Sequence, residues 1–170
     1  MQETSKHKRQ LRDQVLWRLQ ADSDRLNKEI ANDLGIDTSR VSRLRAELKE
    51  SGYIKQCKAV LNPDLLGFHT CAFVFLKVEI QSEFENTIKF LLNKPEIQDL
   101  HCVQGDFDFI IKIRTRTNKD LFSFISDALT KQHNIAHTNT VIVMDTRQES
   151  LDLPLETSSS TSRHDANEVR

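Results

Sequence analysis

The sequence predicts an α+β protein in two parts, a helical N-terminal part and a C-terminal part in which strands and helices alternate. Apolar residues recur at helical spacing through the first 60 residues. After about residue 70 they follow the period of two that is typical of strands. Charge changes at the same point: residues 1–60 hold 13 Lys and Arg against 9 Asp and Glu, whereas the remainder is acidic. The two parts are therefore expected to have different partners.

Composition excludes several classes of protein. No apolar run in the 170 residues reaches the roughly 18 that a membrane span needs, and residues 1–12 are polar and basic, unlike a secretory signal. Cys57, Cys71 and Cys102 are too few and too far apart for a disulfide framework or a zinc site. We therefore expect a cytoplasmic protein with no membrane partner, no metal and no cofactor.

In the N-terminal part, the spacing predicts one amphipathic helix followed by a helix-turn-helix. Asn27 caps a short helix, and Gly35 follows that helix at the position where a residue tolerant of positive φ is favoured. One of three successive polar residues then caps a longer helix: Asp37, Thr38 or Ser39. The loosely alternating segment 53–61 predicts one or two short strands, in the usual place of a wing.

The C-terminal part has the order β-α-β-β-α-β. Its elements are a strand at 71–80, a helix opened by a Ser82–Glu85 capping box, strands at 97–104 and 107–115 joined by a tight turn at Gly105-Asp106, a helix capped by Asn118 and a strand at 137–146. This is the split βαβ, or ferredoxin-like, pattern, with an antiparallel sheet and helices on one face. Because the other face has to be solvated or covered by another chain, we expect a dimer formed sheet to sheet or edge to edge.

These elements divide the chain into four segments. Residues 1–60 form a winged helix-turn-helix domain, residues 61–70 a hinge, and residues 71–156 the βαββαβ domain. Residues 157–170 contain no large apolar residue except Val169, so we predict a disordered tail there.

The longer helix of the helix-turn-helix has a basic outer face opposite its apolar side. Such a helix can enter the major groove, where Arg reads guanine edges and Ser or Lys holds phosphates. A charged face that is merely solvated explains the same residues, but the order of glycine, cap and basic segment favours DNA. The candidate DNA-binding residues are Ser39, Arg40, Ser42, Arg43 and Arg45 on the helix, with Lys55 in the wing segment.

A second candidate site is the segment VQGDFDFIIKI at residues 103–113. Backbone N–H groups exposed at a turn with Gly105 can hold a carboxylate, and Asp106 or Asp108 can meet an ammonium group, so the turn suits an amino-acid zwitterion. A plain hairpin whose aspartates bond local N–H groups is the alternative. Paired acid–base catalysis is a weaker interpretation, because no nucleophile and no phosphate loop accompany the carboxylates.

In this order and spacing, the motifs resemble those of the Lrp/AsnC (leucine-responsive, or feast/famine) transcription regulators of bacteria and archaea. The resemblance runs from Leu11 to Glu156 and is carried by NKEIANDLGI, GYIKQCKAVLNPDLLG, VQGDFDFIIKI and TVIVM. It implies a winged helix that binds promoter or operator DNA. It also implies a C-terminal Lrp-type domain that binds an amino acid between subunits and assembles homodimers into octamers or similar rings. The effector residues that it implies are Gly105, Asp106, Phe107 and Asp108 at the turn, with Val141 and Val143 in the last strand.

The sequence departs from the family in places. The family's common Arg in the recognition helix falls on Leu44, and the following apolar position falls on Arg45, so base contacts cannot be carried over. Two other functions use the same scaffold: a tetrapyrrole decarboxylase of the sirohaem type, and an effector-binding module without DNA function. The intact GDFD sequence and the basic helix favour a regulator that is not an enzyme.

Overall fold

The computed structural model describes residues 2–129, 131 and 134–155, and the tail predicted at 157–170 lies outside them. The chain divides into two compact units: one contains the residues up to Val60 together with those from Ser150 onwards, and the other contains Leu61–Glu149. Each unit has its own apolar core. In the described ranges, no helix is both long and apolar enough to cross a membrane.

The first unit contains three helices: α1 (Gln2–Ala21), α2 (Asn27–Leu34) and α3 (Thr38–Glu50). Each helix repeats apolar residues every three or four positions, so the three stripes meet in one core. That core comprises Leu11, Val15, Leu19, Ile30, Ala31, Val41, Leu44 and Leu48. Helices α2 and α3 form the predicted helix-turn-helix.

The turn between α2 and α3 has the predicted geometry. Gly35 adopts a left-handed backbone with φ of 62°, which a residue without Cβ reaches at little steric cost. Asp37 then accepts the N–H of Ser39 at 2.7 Å and caps α3. The turn thus fixes the direction in which the exposed side of α3 points.

The wing strands predicted after α3 are wrong, because the described segment 51–60 contains no strand. Ile54 is half-buried against the first core and donates its N–H to the Leu48 carbonyl at 3.0 Å, whereas residues 55–60 are exposed. Two short strands with no third strand and no buried face are marginal in water. Alternation alone therefore did not produce a sheet here.

The second unit has the predicted βαββαβ order. Its strands are β1 (Thr70–Val78), β2 (Ile97–Cys102), β3 (Phe109–Thr115) and β4 (Ile135–Ile142). Its helices are α4 (Phe84–Leu92), preceded by a short 3₁₀ turn, and α5 (Asn118–Ser123), which continues as a π-helical turn over Phe124–Leu129. The strands pair antiparallel in the order β2-β3-β1-β4.

Alternate residues of the strands point to opposite faces of this sheet. One face is buried against α4 and α5 and consists of Ala72, Val74, Leu76 and Val78 from β1 with Phe109, Ile111 and Ile113 from β3. The other face, called the open face below, consists of Phe73, Phe75 and Lys77 from β1, Ile110, Lys112 and Arg114 from β3, and Val141 from β4. Phe73 is 38% exposed and Val141 is 50% exposed, so the open face presents apolar area.

The predicted N-caps of α2, α4 and α5 are each displaced by one residue. The cap positions hold Leu26, Glu83 and Thr117, where the sequence predicted Asn27, Ser82 and Asn118. At α5, Thr117 accepts the Asp120 N–H at 3.1 Å, which gives that helix a capping box of its own. At α2, the Glu29 carboxylate accepts the Leu26 N–H at 3.2 Å. The backbone N–H of the cap residue is therefore satisfied although Leu26 has no polar side chain.

The connection between β2 and β3 is longer than the predicted tight turn. It runs from Val103 to Asp108 and is closed by the Val103 N–H, which donates to the Asp108 carbonyl at 2.9 Å. The Asp108 N–H donates instead to the Leu76 carbonyl of β1, also at 2.9 Å. Pairing between β2 and β3 therefore stops at Cys102 and Phe109, and a longer loop stands where the sequence predicted a two-residue turn.

The chain beyond β4 turns back over part of the open face. The Glu149 carboxylate pairs with both Lys112 and Arg114 of β3. Farther on, the Gln20 side-chain amide donates to the Leu153 carbonyl at 2.9 Å and accepts the Leu153 N–H at 3.1 Å. Residues 150–155 accordingly group with the first unit, although the sequence placed them in the second domain.

Candidate DNA-binding helix and effector turn

Four of the predicted DNA-binding residues lie on the exposed side of α3. They are Ser39, Arg40, Ser42 and Arg43, and all four are solvent-exposed. Within the described part of the chain, neither Arg40 nor Arg43 forms an ion pair. Besides the hydrogen bonds from Ser39, the nearby charge of Arg43 lowers the pKa of the Asp37 carboxyl, but neither guanidinium group is engaged in a salt bridge. Both therefore remain available to an anionic partner such as a phosphate backbone.

The start of α3 is held by an ionised cap. The pKa of Asp37 lies below its ordinary value, chiefly because the side chain and then the backbone N–H of Ser39 donate hydrogen bonds to it. A carboxyl with a lowered folded-state pKa stabilises the fold above its unfolded pKa and loses that contribution as the pH falls through the folded value. The cap is therefore fully formed at neutral pH.

Arg45 does not share the outer surface with these residues. Its guanidinium donates to the carbonyls of Ser23 and Arg25 at 2.6 and 3.1 Å and to the side-chain oxygen of Asn27 at 3.3 Å. Arg45 therefore links α3 to the connection between α1 and α2. This internal role differs from the DNA contact that the sequence predicted for it. The reason is its position at the edge of the helix, where a long side chain reaches the acceptors of the preceding connection.

Lys55 is exposed in the segment after α3, where the predicted strands are absent. The sequence did not reveal how the start of this segment is held. Arg12 of α1 donates to the Tyr53 hydroxyl at 2.8 Å and lies 4.6 Å from the centre of the Tyr53 ring. A hydrogen bond to Asp13 is the main reason why the pKa of Arg12 is raised, so this cation stays charged. No local spacing rule links residues 41 positions apart.

The predicted effector turn exposes its first two residues. Gly105 and Asp106 are solvent-exposed. Gly105 has a φ of 153°, a backbone conformation that residues with a side chain rarely adopt. A Cβ at Gly105 would meet nothing within 4 Å, so the requirement for glycine comes from the backbone and not from crowding. The turn therefore needs glycine for its backbone conformation, and the space beside Gly105 is open.

Asp108 is turned inwards and holds the turn against β1. Its carboxylate accepts the backbone N–H of Val78 at 2.8 Å and the Lys77 ammonium at 3.2 Å. Both partners lie about 30 residues earlier in the chain, so this is not the local bonding that a plain hairpin predicts for its aspartates. Asp106 is the aspartate that remains exposed to a ligand.

We expect Asp108→Ala to lower the free energy of unfolding by about 1–3 kcal/mol, since it leaves the Val78 N–H without its acceptor. Urea denaturation followed by circular dichroism measures this change. Asp106→Ala is the matched control, because its exposed carboxylate should contribute little to folding. Equal stabilities for the two variants would contradict the role given to Asp108.

The remaining predicted effector residues lie on the open face. The Phe107 ring is 5.5 Å from the ring of Phe75 and 6.1 Å from that of His137. Val141 is paired with Phe73, which lies two residues before Phe75 in β1. Val143 lies two residues beyond Val141, and its N–H donates to the carbonyl of Cys71. The structure therefore brings Gly105, Asp106, Phe107 and Asp108 together and spreads Val141 and Val143 along the same face.

Metal chemistry finds no support in the described ranges, where no cluster of three His, Cys, Asp or Glu side chains could hold an ion. The three cysteines are free thiols, and Cys57 and Cys102 are exposed. The site residues predicted from the sequence thus lie, in the described part of the chain, on a basic helix face and on a turn beside an apolar sheet face.

Comparison with known protein families matches both units. Residues 10–55 match the model described as winged helix-turn-helix DNA-binding, and residues 71–153 match the Lrp/AsnC ligand binding domain. Among curated proteins, the HTH-type transcriptional regulator FL11 of Pyrococcus furiosus is 32% identical over 137 residues, which is 81% of this chain and 89% of that protein. The leucine-responsive regulatory protein of Escherichia coli is 28% identical over 149 residues, covering 84% and 88%.

Solved structures of low sequence identity share the fold. A transcriptional regulator from Neisseria meningitidis in complex with L-Met superposes with a TM-score of 0.82 at 19% identity, covering 85% of this chain and 95% of that one. Escherichia coli AsnC superposes with a TM-score of 0.77 at 18% identity, covering 82% and 93%. The architecture predicted from the sequence is confirmed by both matches.

A helix-turn-helix with an unpaired basic face, joined to a βαββαβ ligand-binding domain, defines a two-domain transcription regulator. The chain belongs to the Lrp/AsnC family of DNA-binding transcription regulators.

Proposed function

We propose that the exposed side of α3 reads double-stranded operator DNA through Arg40 and Arg43, with Ser42 holding a phosphate. Ser39, whose side chain donates to Asp37, supports this surface by holding the start of the helix. The observation that carries the proposal is the pair of exposed guanidinium groups, neither of which forms a salt bridge in the described part of the chain. Lys55 adds a phosphate contact from the segment after α3. Arg45 acts from inside the domain, since its donors are used by the α1–α2 connection.

The turn at Gly105–Asp108 is the effector site in this proposal. Exposed backbone N–H groups at Gly105 and Asp106 would receive the carboxylate of an amino acid, and the Asp106 carboxylate would receive its ammonium group. Phe107, with Val141 and Val143 farther along the open face, would supply apolar contacts. The relative from Neisseria meningitidis that was solved with L-Met supports an amino acid as the class of ligand.

Assembly in this proposal uses the open face of the sheet. Phe73 and Val141 are exposed there, and a second copy related by a twofold axis would bury both residues twice. Such dimers would assemble further, into an octamer or a similar ring. Each dimer would then present two α3 helices to half-sites about one helical turn apart, or multiples of that distance.

The proposal includes no catalysis and a cytoplasmic location. The curated relatives are named as transcription regulators and not as enzymes. A DNA partner and three free thiols fit a reducing compartment. The division of labour follows the two units, with DNA contacts in the first and effector contacts in the second.

Fluorescence anisotropy with labelled DNA from upstream of the protein's own gene tests the proposal. We expect tight, salt-sensitive binding that changes when the twenty amino acids are added as a pool. Asp106→Asn should keep the DNA affinity and lose the response to the pool, because its amide cannot supply the negative charge that an ammonium group needs. Asp127→Asn, which removes an exposed carboxylate on the helical side of the sheet, is the matched control.

Each part of the proposal has its own contrary outcome. Binding no tighter than that to random DNA would remove the operator function. Binding that ignores the pool in the wild type would remove the amino-acid effector and leave the DNA function in place. A response that survives in Asp106→Asn would move the effector away from the turn.

A further inference from the structure

Helix α1 starts well before the core of the first unit. The helix begins at Gln2, but its first core residue is Leu11. Residues 2–10 contain no apolar residue, so this stretch of helix has no apolar side to pack against its neighbours. Core packing therefore accounts for α1 only from Leu11 onwards, and any partner of the preceding turns must be polar.

Four successive residues of this stretch carry basic side chains. They are Lys6, His7, Lys8 and Arg9, called the basic segment below, and all four are exposed. Successive residues of an α-helix are turned by about 100°, so four of them go once round the axis. The basic segment therefore presents Lys, His or Arg on every side, which suits a partner with many negative charges.

An ion pair places the basic segment beside α3. The Lys8 Nζ lies 3.1 Å from Oε1 of Glu47, a residue 39 positions farther along the chain. Arg40, Arg43 and Glu47 follow one another at spacings of three and four, so they form one row along α3. Lys8 therefore stands at the end of the row that contains the two arginines proposed to read DNA.

Carboxylates of the chain neutralise only part of the charge of the basic segment. Lys6 forms no ion pair in the ranges that the structure describes. Arg9 lies 3.9 Å from Asp13, whose carboxylate is already bound by Arg12 at 2.7 Å. The side chains of Lys8 and Arg9 remain 71% and 77% exposed. The segment can therefore bind an external anion without breaking a buried contact.

The phosphate backbone of duplex DNA is the anion that this position favours. Seven residues separate Arg40 from Glu47, which is about 10 Å along a helix. Each strand of duplex DNA carries a phosphate for roughly every 3.4 Å of its axis. A duplex that contacts Arg40 and Arg43 therefore has further phosphates at the distance of the basic segment.

We propose that the basic segment is a second DNA-contacting surface of the first unit, which binds backbone phosphates beside α3. This proposal rests on the proposed function, in which the first unit binds DNA. Lys6 and Arg9 donate to phosphates, and Lys8 neutralises the Glu47 carboxylate next to them. Phosphate contacts carry no direct sequence information, so the segment adds affinity for operator and random DNA alike.

Anisotropy titrations of the full chain carrying Lys6→Ala together with Arg9→Ala test this surface. The probes are the labelled DNA from upstream of the protein's own gene and a random duplex of equal length. Each lost phosphate contact should lower the slope of log affinity against log salt by about 0.9, and both probes should bind roughly tenfold more weakly or worse at about 0.1 M salt. Alanine keeps the helix, because its helix propensity is the highest.

Two control variants separate the position of the charges from their number. Lys89→Ala together with Lys119→Ala removes two exposed lysines from α4 and α5 of the second unit, and should bind both probes as the wild type does. Lys6→Arg together with Arg9→Lys keeps both charges in the segment, and should also bind with the wild-type affinity and salt slope.

The basic segment is not a DNA contact if its double alanine variant binds both probes as tightly as the wild type, or no more weakly than the Lys89 and Lys119 variant. In either case, a weakened Arg43→Ala would leave the function proposed for α3 in place. Weaker binding of both probes by the double alanine variant, with Arg43→Ala unchanged, would retain the segment and remove α3 as the reading helix.

Two further outcomes would overturn the proposal. One is a loss of affinity that is confined to the upstream probe, because a phosphate contact cannot distinguish the two sequences. The other is a changed assembly mass of the double alanine variant in light scattering, with wild-type DNA affinity. That result would mean that the basic segment binds carboxylates of another copy of the chain.

Discussion

Arg43→Ala is expected to weaken operator binding by about 1–3 kcal/mol at each half-site, which is the contribution of one bidentate arginine bond pair to a base. Arg43 is exposed on α3 and has no ion pair in the described part of the chain, so its removal leaves no unpaired carboxylate behind. The thermal midpoint of unfolding should therefore stay close to that of the wild type. Because the protein would bind as an assembly, the effect should be repeated at every half-site that the assembly occupies.

Arg45→Ala is the matched contrast, since it removes the same side chain two positions farther along the same helix. Here the carbonyls of Ser23 and Arg25 lose their donor, and the connection between α1 and α2 loses its bond to α3. We expect the free energy of unfolding to fall by about 1–3 kcal/mol. DNA binding at low temperature should be affected less than in Arg43→Ala.

Thermal denaturation and anisotropy titrations at several salt concentrations measure both variants. Because Arg43 is proposed to contact a base, its removal should also reduce the difference in affinity between operator and random DNA. The opposite pattern, with a destabilised Arg43→Ala and a DNA-binding defect confined to Arg45→Ala, would reverse the roles of the two residues. Equal behaviour of the two variants would remove the distinction between an outer and an inner arginine.

The fold was predictable wherever the apolar period extended through a whole element. Val74, Leu76 and Val78 alternate with residues of the open face, and Val41, Leu44 and Leu48 repeat at helical spacing. All six are buried as their period predicts. Burial of a whole face involves many residues at once, so an exception at one position does not change the outcome.

Features decided by single hydrogen bonds were less predictable. The N-caps of α2, α4 and α5 lie one residue away from their predicted positions. Neighbouring residues can serve as the cap equally well in sequence terms, and the packing of the helix decides which of them does. The connection at Gly105 is longer than a tight turn because Asp108 bonds to β1. That bond joins residues 30 positions apart, so no local sequence pattern predicts it.

Parts of the candidate sites depend on similar long-range contacts. The sequence placed Arg45 on a helix with a basic face, but its inward direction depends on acceptors about 20 residues earlier.

Phe73→Asp is expected to break the dimer. Phe73 lies on a central strand of the open face, is 38% exposed in the single chain and is paired across the sheet with Lys112 and Val141. Burying one aromatic side chain contributes about 1.5–3 kcal/mol, and a twofold interface counts the residue twice. A carboxylate at this position would in addition lose its solvation inside the interface. The fold of the single chain should survive, because in that chain the position is open to water on one side.

Light scattering of the full chain measures the result. We expect the wild type to have a mass that is a multiple of 19.7 kDa and Phe73→Asp to approach 19.7 kDa, with an unchanged circular dichroism spectrum. Phe122→Asp is the matched control, since Phe122 is 71% exposed and lies on α5, on the opposite side of the sheet. If Phe122→Asp dissociates the assembly and Phe73→Asp does not, the subunits meet through the helices. Dissociation by Phe73→Asp should also weaken operator binding, because two α3 helices held together bind with an effective concentration that a single chain lacks.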